Sequence, residues 1–243
     1  MNRRHFIKCS SAIGALCMLP ISLWSQATTV YSKDILTGKG NPQLFGDGYR
    51  LQEKAHEAFK AMKSEALKEN INIQVVSSYR NFDHQKRIWE SKYARFTKQG
   101  LNPNQVILKI IEYSTIPGTS RHHWGTDLDI IDANSTYKGD VLVPSKFHGT
   151  GPFCKLKEWM DNNAANFGFK LVYTDTPTRE GFKYEPWHYS FAEISKPMLS
   201  EYRKIDLKSF LKEEKLSGSS IITSKFIDDY ISKNILDINP ELL

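Results

Sequence analysis

The stretch of residues 120–130, SRHHWGTDLDI, concentrates side chains that can bind a metal ion. It holds His122 and His123 and then Asp127 and Asp129, on either side of a glycine. Imidazoles and carboxylates at this density are unfavourable in a hydrophobic core, because each buried polar group needs a partner. The pattern therefore predicts part of a metal site, with a further ligand to come from elsewhere in the chain.

The segment that carries the aspartates decides which side chains converge. Residues 126–131, TDLDII, have the composition of a strand, and residues two apart in a strand share a face. Asp127 and Asp129 are therefore expected to point the same way. His122 lies in the turn before them, and Gly125 allows the backbone to bend. Two ligands make half a site, because a catalytic zinc takes three protein ligands and keeps one position for water.

A second segment, EPWHYSF (residues 185–191), supplies the missing groups. His188 is the candidate third ligand. Glu185, three residues earlier, is a candidate general base, because a carboxylate beside a metal-bound water can accept its proton. Together the two segments contain the residue types of a zinc hydrolase.

These segments resemble those of a known family. SRHHWGTDLD fits the S-x-H-x(6)-D pattern of VanY-type D-alanyl-D-alanine carboxypeptidases, and EPWH fits their E-x-W-H pattern. Upstream, SSYRNFDHQ is similar to their S-x-x-R-x(4)-Q segment, so that three motifs occur in the family's order between Ser77 and His188. The same zinc peptidase group contains D-Ala-D-Ala dipeptidases, LD-carboxypeptidases and endopeptidases.

The resemblance implies a role for each matching residue, one Zn²⁺ per chain, and peptidoglycan stem peptides as the substrate. The implied zinc ligands are His122, Asp129 and His188, and the implied base is Glu185. Arg80 is implied to steady the substrate carbonyl and the oxyanion. Gln85 and Ser120 are the implied substrate contacts.

Three residues of the central motif have more than one interpretation. Asp127 replaces the alanine that is common in the family, and it could compete for the metal, hydrogen-bond a ligand or face solvent; a role outside the coordination sphere is favoured. His123 could line a substrate cleft or lie on the surface. Trp124 is expected to form a wall of the pocket or to anchor packing.

The apolar spacing predicts the elements that position these groups. Helices are expected over residues 50–70, around 88–96, over 104–113 and over 153–167, with Gly168 as the stop of the last. Strands are expected within 71–79, 126–131, 169–173 and 187–191, the last two forming a tight strand-turn-strand unit. The irregular alternation indicates an α+β fold, with a small mixed or antiparallel sheet flanked by helices and a helical C-terminal appendage.

The chain has 243 residues, of which 40% are hydrophobic and 25% charged, as in an ordinary globular protein. We expect a lead-in arm over residues 28–49, a zinc carboxypeptidase domain over 50–205 and the helical appendage over 206–243. The net charge of +6 includes no block of Lys and Arg, so no nucleic-acid partner is expected.

Residues 1–27 are typical of a cleavable export signal. NRRHFIK is followed by a short apolar run and then by SQA, which predicts cleavage after Ala27. Arg3 and Arg4 resemble the twin-arginine export motif, with a general secretory signal as the alternative. The mature protein is then expected to be exported to the periplasm, without a stable membrane span. It keeps a single cysteine, Cys154, which is expected to be buried.

Functionally, the sequence favours a zinc peptidase that removes a terminal D-alanine from peptidoglycan stem peptides. LD-carboxypeptidase or endopeptidase activity on the same material is the first alternative. A zinc-stabilised module that binds cell wall without cutting it is a second, which Glu185 disfavours, because structural zinc is closed by four ligands.

Overall fold

The computed structural model describes residues 31–243, so the expected signal peptide lies outside the described residues. Four strands form a single antiparallel sheet in the spatial order β1-β2-β4-β3. The predicted α+β class is confirmed, and the sheet is antiparallel. The strands are β1 (Ile73–Ser77), β2 (Asp127–Asp132), β3 (Phe169–Leu171) and β4 (His188–Phe191).

Helices precede, interrupt and follow the sheet. Two of them begin at asparagine caps, as Asn81 accepts a hydrogen bond from the backbone of His84 and Asn102 forms a capping box with Gln105. The helices are α1 (Lys33–Leu36), α2 (Glu53–Lys68), α3 (Phe82–Lys98), α4 (Pro103–Ile110), α5 (Cys154–Asn163), α6 (Ala192–Tyr202), α7 (Leu207–Glu213) and α8 (Ser224–Tyr230).

The strand β2 is buried along its whole length, so that its three aspartates are buried together with its apolar residues. Its pairing also sets the position of the candidate ligands. Asp129 lies directly opposite His188 on β4, and on the other side it is paired with Ser77 of β1. The register of the sheet therefore brings the two sequence segments together.

Two local expectations need correction. The strands β3 and β4 do pair, but they are not joined by a tight turn. Residues 172–187 form a long connection between them, and this connection carries Glu185 to the site. Cys154 was expected to be buried, but it is partly exposed, because it is the first residue of α5. The stop at Gly168 is confirmed: a turn of 3₁₀ helix follows α5, and Gly168 adopts a left-handed φ of 77°.

The C-terminal helices pack against the rest of the fold. The Trp89 indole of α3 donates to the carbonyl of Ser217 at 3.0 Å. Arg179, in the connection between β3 and β4, donates to the carbonyl of Asp237 at 3.0 Å, and the Asp237 carboxylate accepts from the backbone of Glu180 at 2.7 Å. Within residues 31–243, no helix combines the length and apolar character that crossing a bilayer requires.

Candidate metal centre and catalytic site

The three predicted ligands come together although they lie on different elements. His122 sits on a 3₁₀ turn (Arg121–Trp124) that Ser120 caps and that ends at Gly125, whose φ is 66°. Asp129 is in the middle of β2, and His188 is the first residue of β4. All three are buried, and one ligand atom from each lies within 4.8 Å of the others.

Hydrogen bonding fixes which nitrogen of His122 faces this group. Its Nδ1 lies 2.7 Å from the carbonyl of Ser78. Because a carbonyl only accepts, Nδ1 must carry the hydrogen, and Nε2 keeps its lone pair. Nε2 is 3.3 Å from Oδ2 of Asp129. Buried Nε2 of His122 and Oδ1 of Asp129 have no hydrogen-bond partner, as expected of atoms that face a cation.

His188 is oriented in the same way by a different group. Its Nε2 lies 3.1 Å from Oδ1 of Asp127. Its Nδ1 faces the site, 3.6 Å from Oδ1 of Asp129 and 2.9 Å from Oε2 of Glu185. A carboxylate on the outer nitrogen of a ligating histidine fixes the ring and raises its basicity. Asp127 therefore hydrogen-bonds a ligand and stays outside the predicted coordination set.

A small buried network neutralises Asp127. Arg121 Nε donates to its Oδ1 at 3.0 Å, and Ser190 Oγ donates to its Oδ2 at 2.9 Å. Arg121 Nη2 also donates to the Ser190 hydroxyl at 2.8 Å. Burial alone would raise the pKa of Asp127, but the Arg121 charge and the His188 hydrogen bond outweigh it and hold the pKa below its ordinary value.

The group fits a single Zn²⁺. Two imidazole nitrogens and one carboxylate oxygen are the donor types that zinc prefers, and three protein ligands leave a position for water. Glu185 is buried beside these three ligands and does not belong to the group that they form.

The electrostatics of these side chains suit metal binding and base catalysis. Burial, with the Arg80 charge, lowers the pKa of His122 to about 4, so its Nε2 is available at neutral pH. Burial also raises the pKa of Glu185, and the hydrogen bond and charge of His188 oppose the rise. A carboxylate with a raised pKa holds a proton better near neutral pH, which a general base requires.

The structure places Arg80, Gln85 and Ser120 differently. Arg80 lines the cleft, and its Nη1 donates to Oε1 of Gln85 at 3.1 Å. The other end of the Gln85 amide donates to the carbonyl of Thr115 at 2.9 Å, so Gln85 lies behind Arg80 rather than in the cleft. Ser120 lines the cleft, and its Oγ accepts from the backbone of His122 at 3.3 Å.

A cleft of about 340 Å³ opens above the metal group. Its volume lies at the lower end of the range for small-ligand sites. Its lining combines the polar groups of the site with apolar side chains. The apolar side chains are those of Ile88, Leu142, Phe182 and Trp187.

Neither interpretation of His123 is correct. It is fully buried, with Nδ1 2.6 Å from the carbonyl of Arg80 and Nε2 accepting from the backbone of Gly118 at 3.1 Å. It thus links the segment of Arg80 to the loop before Ser120. Trp124 is a packing anchor, because it is buried and its indole donates to the carbonyl of Leu36 at 3.1 Å.

Sequence reasoning missed Arg121, Ser190 and Lys92. Arg121 and Ser190 complete the network around Asp127, and Lys92 lines the cleft. The unusual Asp127 was the signal available for the network, since a buried carboxylate needs a partner. Lys92 had a positional signal, as it lies seven residues after Gln85 on the same helix face.

A family model described as "VanY: D-alanyl-D-alanine carboxypeptidase" matches residues 48–194. A D-alanyl-D-alanine carboxypeptidase of Enterococcus faecalis is 25% identical over 191 residues, which cover 74% of this chain and 66% of that protein. A bifunctional D-Ala-D-Ala dipeptidase and carboxypeptidase, VanXYC of Enterococcus gallinarum, is 23% identical over 169 residues, 68% of this chain and 78% of that protein.

Solved structures share the fold. VanYB in complex with D-alanine-D-alanine has a TM-score of 0.52 at 24% identity, covering 73% of this chain and 92% of that one. A variant of the D,D-pentapeptidase VanY from a VanB-type resistance cassette, in complex with Zn(II), has a TM-score of 0.51 at 24% identity, covering 70% and 90%.

Proposed function

Because the chain belongs to the VanY family of D-alanyl-D-alanine carboxypeptidases, we propose that it is a zinc-dependent peptidase that removes a terminal D-alanine from peptidoglycan stem peptides. The observation that carries the proposal is the position of Glu185. Its carboxylate is buried 2.9 Å from the inner nitrogen of His188, next to the three-residue metal group and outside it. A site built only to hold a structural ion has no use for such a group.

The side chains divide the chemistry of amide hydrolysis among them. Bound at His122, Asp129 and His188, Zn²⁺ would supply a Lewis acid that lowers the pKa of water to roughly 7. Glu185 accepts the proton of the attacking water and later returns it to the leaving amine. Arg80 donates hydrogen bonds to the oxyanion from a permanently charged group whose donors have fixed directions.

Gln85 and Ser120 act on geometry in this proposal. Gln85 holds the Arg80 guanidinium through Oε1 and is itself anchored on Thr115. Ser120 begins the turn that carries His122, and its hydroxyl lines the cleft where the substrate would lie. Gln85 is thus a positioning residue for Arg80, whereas Ser120 is a candidate substrate contact.

The substrate assignment draws on the relatives. The E. faecalis relative is named a D-alanyl-D-alanine carboxypeptidase, and the VanYB structure contains D-alanine-D-alanine. No residue of the cleft distinguishes a D-Ala-D-Ala bond from an L-D bond, so the choice between them follows the family. A cell-wall substrate would require the enzyme to act outside the cytoplasm, which supports the proposal that residues 1–27 are an export signal.

Defined stem peptides test the proposal. Purified protein is incubated with pentapeptide and tetrapeptide stems, with Zn²⁺ or after chelation, and the products are identified by mass spectrometry. We expect loss of one D-alanine from the pentapeptide, abolished by chelation and restored by Zn²⁺. Release from the tetrapeptide alone would replace the DD assignment with an LD assignment, and binding without cleavage of any stem would contradict an enzyme.

A further inference from the structure

Lys92 is a cation in the cleft that forms no ion pair with any carboxylate in the part of the chain that the structure describes. It lies on α3 and lines the same cavity as His122 and Glu185. Its Nζ donates to the hydroxyl of Ser114 at 2.5 Å, and no carboxylate oxygen of residues 31–243 lies within 4.0 Å of it. Partial burial, followed by the charges of Arg95 and Arg80, lowers the pKa of Lys92, and the charge of Glu185 opposes this shift only in part.

The cations of the site differ in their compensation. Arg121 is paired with Asp127 at 3.0 Å. Arg80, like Lys92, forms no ion pair within residues 31–243, and burial lowers its pKa although the charges of Asp129 and Glu185 oppose the shift. A partly desolvated ammonium held by a neutral hydroxyl gains much from a carboxylate that enters the cleft, because the ion pair offsets the desolvation already incurred. The cleft is therefore prepared for an anionic group at Lys92.

The position of Lys92 relative to Arg80 suggests which anionic group this is. Lys92 donates a hydrogen bond to Ser114. The residue after Ser114 is Thr115, whose carbonyl accepts from Gln85 at 2.9 Å. Gln85 in turn accepts a hydrogen bond from Arg80 at 3.1 Å. Both cations thus belong to one continuous wall. A residue of extended peptide spans about 3.3–3.6 Å, so a substrate whose scissile carbonyl lies at Arg80 carries its terminal carboxylate one residue further along.

We propose that Lys92, held in place by Ser114, binds the terminal carboxylate of the substrate. The inference rests on the proposed function, because it takes the scissile carbonyl to lie at Arg80. It makes Lys92 the residue that restricts the enzyme to a free carboxyl terminus. A point charge suits this task, since a flexible ammonium follows the carboxylate while Arg80 keeps the fixed geometry that the carbonyl needs.

Binding to a variant that cannot turn over tests this assignment. Glu185→Gln protein is loaded with Zn²⁺, and calorimetry measures binding of N-acylated peptides ending in D-Ala-D-Ala, as the free acid and as the amide. Adding Lys92→Met should weaken binding of the acid by roughly 10- to 100-fold, the range of hydrogen bonds to charged groups, and leave the amide unchanged. Lys98→Met, an exposed lysine of the same helix, is the matched control and should change neither.

A second substitution guards against misfolding. Lys92→Gln keeps a polar end for Ser114 and should show the same loss confined to the acid. Equal weakening of acid and amide, or no weakening in a folded Lys92 variant, would overturn the assignment. If acid and amide already bind equally to the protein that retains Lys92, the carboxypeptidase proposal itself fails, and the two failures are thereby distinguished.

Discussion

Asp127 accepts a hydrogen bond from the outer nitrogen of His188 at 3.1 Å, so that the inner nitrogen of the ring faces Asp129 and Glu185. An aspartate here departs from the alanine common in the family. The carboxylate does not enter the three-residue metal group, and its charge is met by Arg121. Asp127 thereby sets the orientation of a metal ligand from outside the coordination sphere.

Replacing Asp127 should weaken the metal site. Asp127→Asn preserves the size of the side chain but removes the charge that makes His188 more basic, and we expect zinc affinity to fall by about 10- to 100-fold. Competition with a chromophoric chelator measures it. Asp132→Asn makes the same change on the same strand, at a carboxylate that accepts from the backbone of Asn72 at 3.0 Å, and should leave zinc affinity unchanged.

A double substitution separates this effect from stability. Asp127→Asn alone leaves the buried Arg121 without its ion partner, which is strongly destabilising. Arg121→Met combined with Asp127→Ala removes both charges and should recover much of the unfolding free energy, while zinc affinity stays low. If the double variant regained tight zinc binding, the orienting role of Asp127 would be wrong.

Glu185→Gln should separate catalysis from folding. The amide cannot accept a proton, so we expect hydrolysis to fall by about 10²- to 10⁴-fold while the bound zinc and the melting temperature stay near those of the unmodified protein. Metal content and single-turnover rates provide the measurement. Glu193→Gln changes an exposed glutamate that pairs with Lys54 and serves as the control. Near-normal turnover would remove Glu185 from the mechanism.

Stabilisation by zinc should increase with pH. In metal-free protein, burial lowers the pKa of His188, but the charge of Asp129 and the hydrogen bonds to Asp127 and Glu185 outweigh it and raise the pKa to about 10. A raised folded-state pKa gives stability that is complete below the ordinary value of about 6.5 and is lost as pH rises through about 10.

Zinc binding requires the deprotonated inner nitrogen, so the loaded protein lacks this loss. The difference in melting temperature between loaded and metal-free protein should therefore widen from pH 6.5 to 9. His122 contributes nothing to the trend, because its pKa of about 4 keeps it neutral throughout. A difference that is constant or shrinks over this range would contradict the prediction.

Tyr230 should stabilise the loop before the central motif. Its hydroxyl accepts a hydrogen bond from the backbone N–H of Ile116 at 3.1 Å. The Thr119 hydroxyl donates to the carbonyl of Ile116, so the Tyr230 hydroxyl donates to the oxygen of Thr119. Tyr230→Phe leaves buried groups unpaired, so we expect unfolding free energy to fall by about 1–3 kcal/mol and peptidase activity to fall with it. Thermal and denaturant unfolding measure the change. Tyr137→Phe, at an exposed tyrosine, should change neither the unfolding free energy nor the peptidase activity.

What the sequence predicted was largely local. The strand around Asp129, the helix stop at Gly168 and the joining of two motifs follow from periodicity and residue chemistry within short segments. The roles of His123 and Gln85 depend on contacts with carbonyl groups far away in the sequence, at Arg80 and Thr115, and side-chain type does not reveal those. The long connection before β4 was missed because its function is to position Glu185, and turn-forming residues alone do not give its length.

The bond between Tyr230 and the loop of residues 116–120 has a consequence for biosynthesis. The two partners are separated by 111 residues, so the loop that leads to His122 lacks its final support until α8 has been translated. At about 5–20 residues per second, synthesis of the intervening segment takes roughly 6 to 22 seconds. A nascent chain that already contains every metal ligand is therefore still without the support of its finished site until α8 has been added.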